Sequence, residues 1–213
     1  MINTNKKRRN IQIKKLILGA YDTNCYIVIC QATGDSVVID APAEPEKIVK
    51  NLKDTNLRYI LLTHGHMDHI GALAELHSKL HVPLAAHPAE TNLPVTPEIN
   101  LNDGDKIVFG DIELSVLYTP GHTRGSVCLL WEKYLFSGDT IFPGGPGNTQ
   151  SAGDFKQIVA SITEKIFTLP DDTELLPGHG VSTIVKKEKG EYADFSKRRH
   201  NTNLCGDVLW RSS

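Results

Sequence analysis

The run Tyr59-Ile60-Leu61-Leu62 leads straight into Thr63-His64-Gly65-His66-Met67-Asp68-His69, so three imidazoles and a carboxylate fall within six residues of an apolar segment. Leu57–Leu62 predicts a buried strand, and Ile70–Leu80 has helical spacing through Ile70, Leu73, Leu76 and Leu80. The cluster therefore sits where a strand hands over to a helix, on rigid support. His64 and His66 have one glycine between them, which lets an extended backbone turn both rings toward one point. Asp68 and His69 come in the next turn and can face a second point nearby. Imidazole and carboxylate are ligands for zinc, iron or manganese. A chance group of surface histidines would not be expected directly behind an apolar strand.

Three further candidates each stand at a strand end beside glycine. They are His122 in Thr119-Pro120-Gly121-His122-Thr123-Arg124-Gly125-Ser126, Asp139 in Ser137-Gly138-Asp139-Thr140, and His179 in Pro177-Gly178-His179-Gly180. Singly, each has an ordinary explanation as a loop histidine or a turn-capping aspartate. With the first cluster they make seven ligands, enough for two metal ions with one shared carboxylate.

The rest of the chain is strands broken by glycine and proline, with helices inserted. Ile11–Leu18 reads as a strand and Asn24–Asp40 as a hairpin turning at Thr33-Gly34-Asp35. Pro45–Asp54 predicts a helix and Val82–Ala86 a short strand. Gly110-Asp111 joins Lys106–Phe109 to Ile112–Tyr118, and Glu132-Lys133 joins Val127–Trp131 to Tyr134–Ser137. Phe155–Phe167 is helical and Glu174–Leu176 is a last strand. This order predicts an α/β sandwich, two sheets covered by helices.

A chain of 213 residues with a formal net charge of −2 is long enough to bury a core and is not a strongly basic nucleic-acid binder. No apolar stretch approaches the roughly 20 residues of a membrane span. Residues 1–10, with Lys6-Lys7-Arg8-Arg9, read as a flexible, solvated basic tail without the apolar core of a signal peptide. Cys25, Cys30, Cys128 and Cys205 form no C-x-x-C pair, and Cys25 and Cys128 lie in strand-like text, as buried thiols do. A cytoplasmic, reduced chain is the expectation.

The order Thr-His-x-His-x-Asp-His, Pro-Gly-His-Thr-x-Gly-Ser, Ser-Gly-Asp-Thr and Pro-Gly-His-Gly closely resembles the metallo-β-lactamase superfamily, from Asn24 to about Thr183. The resemblance implies an αββα four-layer sandwich over residues 11–213, with two mixed sheets flanked by helices and the metals at one edge. It also implies that His64, His66 and His122 hold one metal, that Asp68, His69 and His179 hold the other, and that Asp139 bridges them. The implied chemistry is hydrolysis by a water shared between two divalent cations, zinc foremost, with iron and manganese equally suited to the ligands. Asp68 and Asp139 are then catalytic as well as ligating, Asp68 steering the bridging hydroxide.

Within the superfamily the text looks most like short bacterial type II glyoxalase-like proteins (hydroxyacylglutathione hydrolases), through Thr23-Asn24-Cys25-Tyr26 and Pro177-Gly178-His179-Gly180. The aspartate at 139 differs from the cysteine of the commonest zinc β-lactamases. Two departures bear on the substrate. Only about thirty residues follow Thr183, too few for a glutathione-binding helical domain, and Gly145–Gln150 carries Asn148 where type II glyoxalases usually have arginine. A small acyl thioester is the expected substrate. Arg124 is the candidate contact to an anionic group, and Asn148 lies in the Gly144–Asn148 loop, expected as a flexible wall of the substrate mouth. Persulfide dioxygenases with a single iron share much of this motif set. A lactonase is a further alternative, and a non-enzymatic binding module is disfavoured by the complete ligand set. No nucleic-acid or membrane partner is expected, and a homodimer through an exposed edge or the segment after Lys186 is compatible with the sequence. His77, His81, His87 and His200 read as a helix-end contact or loop residues, and Trp131 and Trp210 as packing residues.

Overall fold

A computed structural model of the chain describes residues 11–213; the basic segment 1–10 lies outside the described residues. Two six-stranded mixed sheets carry the fold. The first runs β1 (Ile11–Leu18), β2 (Thr23–Cys30), β3 (Asp35–Ile39), β4 (Asn56–Leu61), β5 (Leu84–Ala86) and β6 (Ile99–Asn100) in sequence order. Its first three strands are antiparallel and the rest are parallel. Helix α1 (Pro45–Leu52) makes the β3–β4 crossover, and α2 (Met67–Ile70) with α3 (Leu73–Leu80) makes the next.

The second sheet meanders through β7 (Lys106–Phe109), β8 (Ile112–Tyr118), β9 (Val127–Trp131) and β10 (Tyr134–Gly138). A small hairpin of β11 (Ile141–Phe142) and β12 (Gly145–Pro146) follows, and then α4 (Ala152–Ser161) returns the chain to β13 (Glu174–Pro177), parallel to β10. The edge strand β14 (Thr183–Ile184) leads into α5 (Val185–Phe195).

Side-chain alternation explains the layers. Every residue of β2 is buried. Tyr26, Val28 and Cys30 face the second sheet, while Cys25, Ile27 and Ile29 face α1–α3. On β9, Val127, Leu129 and Trp131 point between the sheets and Cys128 points to α4 and α5. Continuous apolar runs therefore mark strands covered on both faces, and the three cores they create define the expected αββα sandwich. Among the described residues no helix is long and apolar enough to cross a membrane.

Three expectations are corrected. The helix expected over Ile70–Leu80 is two helices, because Ala72 N–H turns to the Ala41 carbonyl (2.9 Å) and Ala41 N–H to the His69 carbonyl (2.8 Å). These bonds tie the segment after β3 to the helix break. The helix expected over Phe155–Phe167 starts earlier, with Ser151 capping the Asp154 N–H, and widens to a π turn over Ile162–Ile166. Glu174–Leu176 is not the last strand: β14 follows it, and then α5.

Candidate metal centre

Four of the seven candidate side chains stand just beyond the C-terminal end of a strand, His64 after β4, His122 after β8, Asp139 after β10 and His179 after β13, while His66 opens α2 and Asp68 and His69 lie on it. Both sheets meet there. Val127 N–H donates to the Thr63 carbonyl at 2.9 Å and Asn24 N–H to the Gly178 carbonyl at 2.7 Å. The Tyr26 hydroxyl reaches the Pro177 carbonyl at 2.7 Å. Gly178 is required for the approach, since a Cβ there would lie 2.2 Å from Asp139 Oδ1.

All seven candidates converge. Their ligating atoms form three groups, each mutually within 4.8 Å: His64, His66 and His122; His64, His69 and Asp139; and Asp68, His69 and His179. Asp139 lies between the outer two. Its Oδ1 is 3.3 Å from His69 Nε2, and its Oδ2 is 3.6 Å from both His122 Nε2 and His179 Nε2. Asp68 Oδ2 is 3.1 Å from His179 Nε2 and 3.8 Å from His69 Nε2.

Hydrogen bonds behind the rings decide which nitrogen faces inward. His69 Nδ1–H donates to Asp40 Oδ2 (2.8 Å), His122 Nδ1–H to the Asn148 carbonyl (2.8 Å) and His179 Nδ1–H to the Tyr21 carbonyl (2.9 Å). These acceptors have no proton to give, so each ring keeps Nδ1–H outward and turns Nε2 toward the centre, the nitrogen that would meet a cation. His64 follows through a relay: Thr63 Oγ1 donates to Asp40 Oδ2 at 2.7 Å and is left to accept from His64 Nδ1 at 3.1 Å.

Two atoms then test whether the pocket suits a cation. His64 Nε2 and Asp139 Oδ1 are buried without a hydrogen-bond partner. An unpaired buried lone pair is costly unless something electropositive meets it. The nitrogen pairs point the same way: His66 Nδ1 lies 2.8 Å from His122 Nε2, and His69 Nε2 3.3 Å from His179 Nε2. The residues fit divalent metal ions.

Protonation agrees. Burial holds the His64 imidazole well below its ordinary value, helped by the surrounding histidines, so it stays neutral. Burial also lowers His122, against the Asp139 carboxylate. For Asp139, burial raises the pKa, but the adjoining imidazoles, His69 foremost and then His122 and His179, outweigh it and hold the carboxyl below its ordinary value.

Asp40 is a candidate functional residue that the motifs did not single out. At the end of β3, with φ +61°, it accepts from Thr63 N–H (2.8 Å), Thr63 Oγ1–H and His69 Nδ1–H. In the sequence it is only an aspartate closing the apolar run Val37-Val38-Ile39, and its burial, at 1% exposed, becomes visible in the fold.

The other singled-out residues are placed as follows. Arg124 is exposed on a cleft of about 680 Å³ lined by Tyr118, His122, Gln150 and Gln157, which adjoins the three-histidine group. The Asn148 side chain turns to Asp207 Oδ1 (2.8 Å), while its carbonyl serves His122. The Gly144–Asn148 loop, expected to be flexible, is pinned. Gly144 N–H donates to the buried Glu188 carboxylate and its carbonyl accepts from Trp210 N–H, each at 2.7 Å. His77 pairs with Glu98 rather than with a helix end, at 2.9 Å. His81 caps α3 in a left-handed conformation. His87 stacks on Tyr118 and His200 on Phe195, and both tryptophans are buried.

Comparison with known proteins shows the family and the fold. The family model of the metallo-beta-lactamase superfamily matches residues 18–179. The chain is 33% identical to the probable metallo-hydrolase YqgX of Bacillus subtilis, covering 84% of this chain and 94% of YqgX. It is 29% identical to hydroxyacylglutathione hydrolase GloC of Haemophilus influenzae, covering 84% and 95% respectively. The solved structure of TTHA1623 in a di-iron-bound form superposes with a TM-score of 0.72 at 30% identity, over 83% of this chain and 96% of that one. Fold, ligand geometry and family match lead to one statement: this chain belongs to the metallo-β-lactamase superfamily.

Proposed function

We propose that the chain is a metal-dependent hydrolase of small acyl thioesters with two divalent cations, zinc foremost. His64, His66 and His122 would hold one, Asp68, His69 and His179 the other, with Asp139 shared. The observation that carries this is the position of Asp139, whose two oxygens stand within 3.3–3.6 Å of nitrogens from both groups. Bound cations in such a site supply a water of near-neutral pKa and an electrophile for the acyl carbonyl.

The chain's own residues do the rest. Asp40, Thr63 and the carbonyls of Asn148 and Tyr21 hold the His64, His69, His122 and His179 rings with Nε2 inward, so these four need not reorient. Asp68, about one quarter exposed, is placed to accept a proton from a water beside His179. The cleft beside His122 would take the thiol carrier, and Arg124 would meet an anionic group on it. The 29% identity to GloC over most of both chains supports thioester chemistry.

Elemental analysis with a panel of thioesters, lactones and persulfides tests the proposal. Transition metal near two equivalents and acyl release from S-D-lactoylglutathione or a related thioester are expected. Oxygen consumption with a persulfide and no thioester cleavage would replace the hydrolase with a dioxygenase. A chain that binds no transition metal would be a binding module.

A further inference from the structure

Glu90 follows β5 and belongs to none of the metal-ligating groups. Both of its carboxylate oxygens are nevertheless engaged, and by two different loops. Oε2 accepts the Gly65 N–H at 3.0 Å. Oε1 accepts the Gly125 N–H at 3.1 Å and the Thr123 hydroxyl. Gly65 separates His64 from His66, and Thr123 follows His122, so one side chain spans the loops that build the three-histidine group. Glu90 is anchored in turn by its N–H on the His87 carbonyl at 2.9 Å. Ser126 extends the network, donating to Thr123 Oγ1 at 2.7 Å and accepting the Thr123 N–H at 3.1 Å.

Two glycines show how tight the approach is. A Cβ at Gly65 would stand 2.6 Å from Glu90 Oε2. One at Gly125 would stand 2.6 Å from Glu90 Cγ and 2.7 Å from Glu90 N. Both loops are pressed against the same residue, and across them His66 Nδ1 and His122 Nε2 come to 2.8 Å. Without the carboxylate, two backbone N–H groups on glycine-containing loops lose charge-assisted bonds, the stronger class of hydrogen bond.

We propose that Glu90 is a positioning residue that clamps the His64–His66 loop to the His122 loop and so sets the metal affinity of that three-histidine group. The inference rests on the metal-centre assignment above. Supporting partners one shell behind ligands typically govern affinity by about 10–100-fold. A carboxylate is specifically required, because a glutamine offers an acceptor to one loop and turns an N–H toward the N–H of the other.

The test is a zinc titration of chelator-treated protein against a competing chromophoric chelator, with thermal unfolding of each metal-free variant alongside. Wild type takes up two equivalents. Glu90→Ala weakens one of them by about 10-fold or more and leaves the other within about threefold, with Glu90→Gln between the two. Asp68→Ala weakens the other equivalent, and Glu90→Ala added to it then weakens the one that remains. If Glu90→Ala and Glu90→Gln lower the metal-free melting temperature but leave both affinities unchanged, Glu90 is only a packing contact and the proposal is overturned. Wild type that takes up no zinc would overturn the metal-centre assignment itself, a result seen before any variant is made.

Discussion

Asn148 Nδ2 donates to Asp207 Oδ1 at 2.8 Å, while the carbonyl of the same residue accepts from His122 Nδ1 at 2.8 Å. The C-terminal segment thereby touches a candidate metal ligand through one intermediary. Thr149 bridges to Gly206, and Trp210 N–H holds the Gly144 carbonyl, so the loop is fixed at both ends.

That relationship separates two roles for Asn148. If it acts only through its carbonyl, Asn148→Ala and Asp207→Ala remove the same exposed bond, worth about 0.5–1.5 kcal/mol, and the double variant costs no more than either single one. KM then rises equally and slightly in both. A rise of about tenfold in KM for Asn148→Ala alone, the weight of one good polar contact, would show its side chain meeting substrate. Steady-state kinetics on the three variants decides.

Asp40→Ala is expected to be the most damaging change behind the ligands. It leaves Thr63 N–H, Thr63 Oγ1–H and His69 Nδ1–H without their acceptor in a site where Asp40 is 1% exposed. Each orphaned buried donor costs about 1–3 kcal/mol. Metal-free protein should lose several degrees of melting temperature, and affinity for the Asp68, His69 and His179 group should fall by about 10–100-fold. Unchanged metal affinity would show that His69 keeps its tautomer without Asp40.

How much of this was legible in the sequence follows from where the information is local. The seven candidate ligands were readable because histidine and aspartate are clustered beside glycine near strand ends. The layers were readable because β2 and β9 are apolar on both faces. Asp40 and Glu90 were not, since each looks like an ordinary turn residue until the chain brings it to Thr63 or Gly125, more than twenty residues away. Helix α5 escaped for another reason. Val185-Lys186-Lys187-Glu188-Lys189-Gly190 buries only Val185 and Glu188, so its apolar period is too weak to read.

Asp139→Ala should lower metal content and turnover together. Its carboxylate is the one group shared between the two sets of nitrogens, so its loss weakens both. Elemental analysis should fall below one equivalent and turnover by at least about 100-fold, the scale of losing one electrostatic stabiliser at the reacting centre. Full activity with both metals retained would remove Asp139 from the ligand set.

Cysteine reactivity reports on the layers. Burial pushes the Cys128 thiol up to about 11 and Cys25 higher still, while Cys205 is exposed. Thiolate is the reacting form, so native alkylation at pH 8 should label Cys205 and spare Cys25 and Cys128. Mass spectrometry should find all four thiols labelled in denaturant. Native labelling of Cys25 would mean that the layer under α1–α3 opens.

In the proposed site, His69 would make metal uptake a proton-release reaction. Burial pushes its imidazole down, but the Asp40 and Asp139 carboxylates outweigh this and raise it from 6.5 to about 10 in the metal-free chain. A pKa raised on folding stabilises the metal-free fold fully below pH 6.5, and that contribution is lost as pH rises through about 10. A cation needs the Nε2 lone pair and leaves Nδ1–H on Asp40, so binding at pH 8 must expel the second proton from His69. His64, held neutral by burial, contributes none. Calorimetric zinc titrations at pH 8 in buffers of different ionisation enthalpy should therefore show about one proton released per His69-containing site, with affinity for that site rising about tenfold per pH unit until His69 is neutral. His69→Ala should abolish that release. A wild-type titration without proton release would mean that His69 is already neutral before the metal arrives.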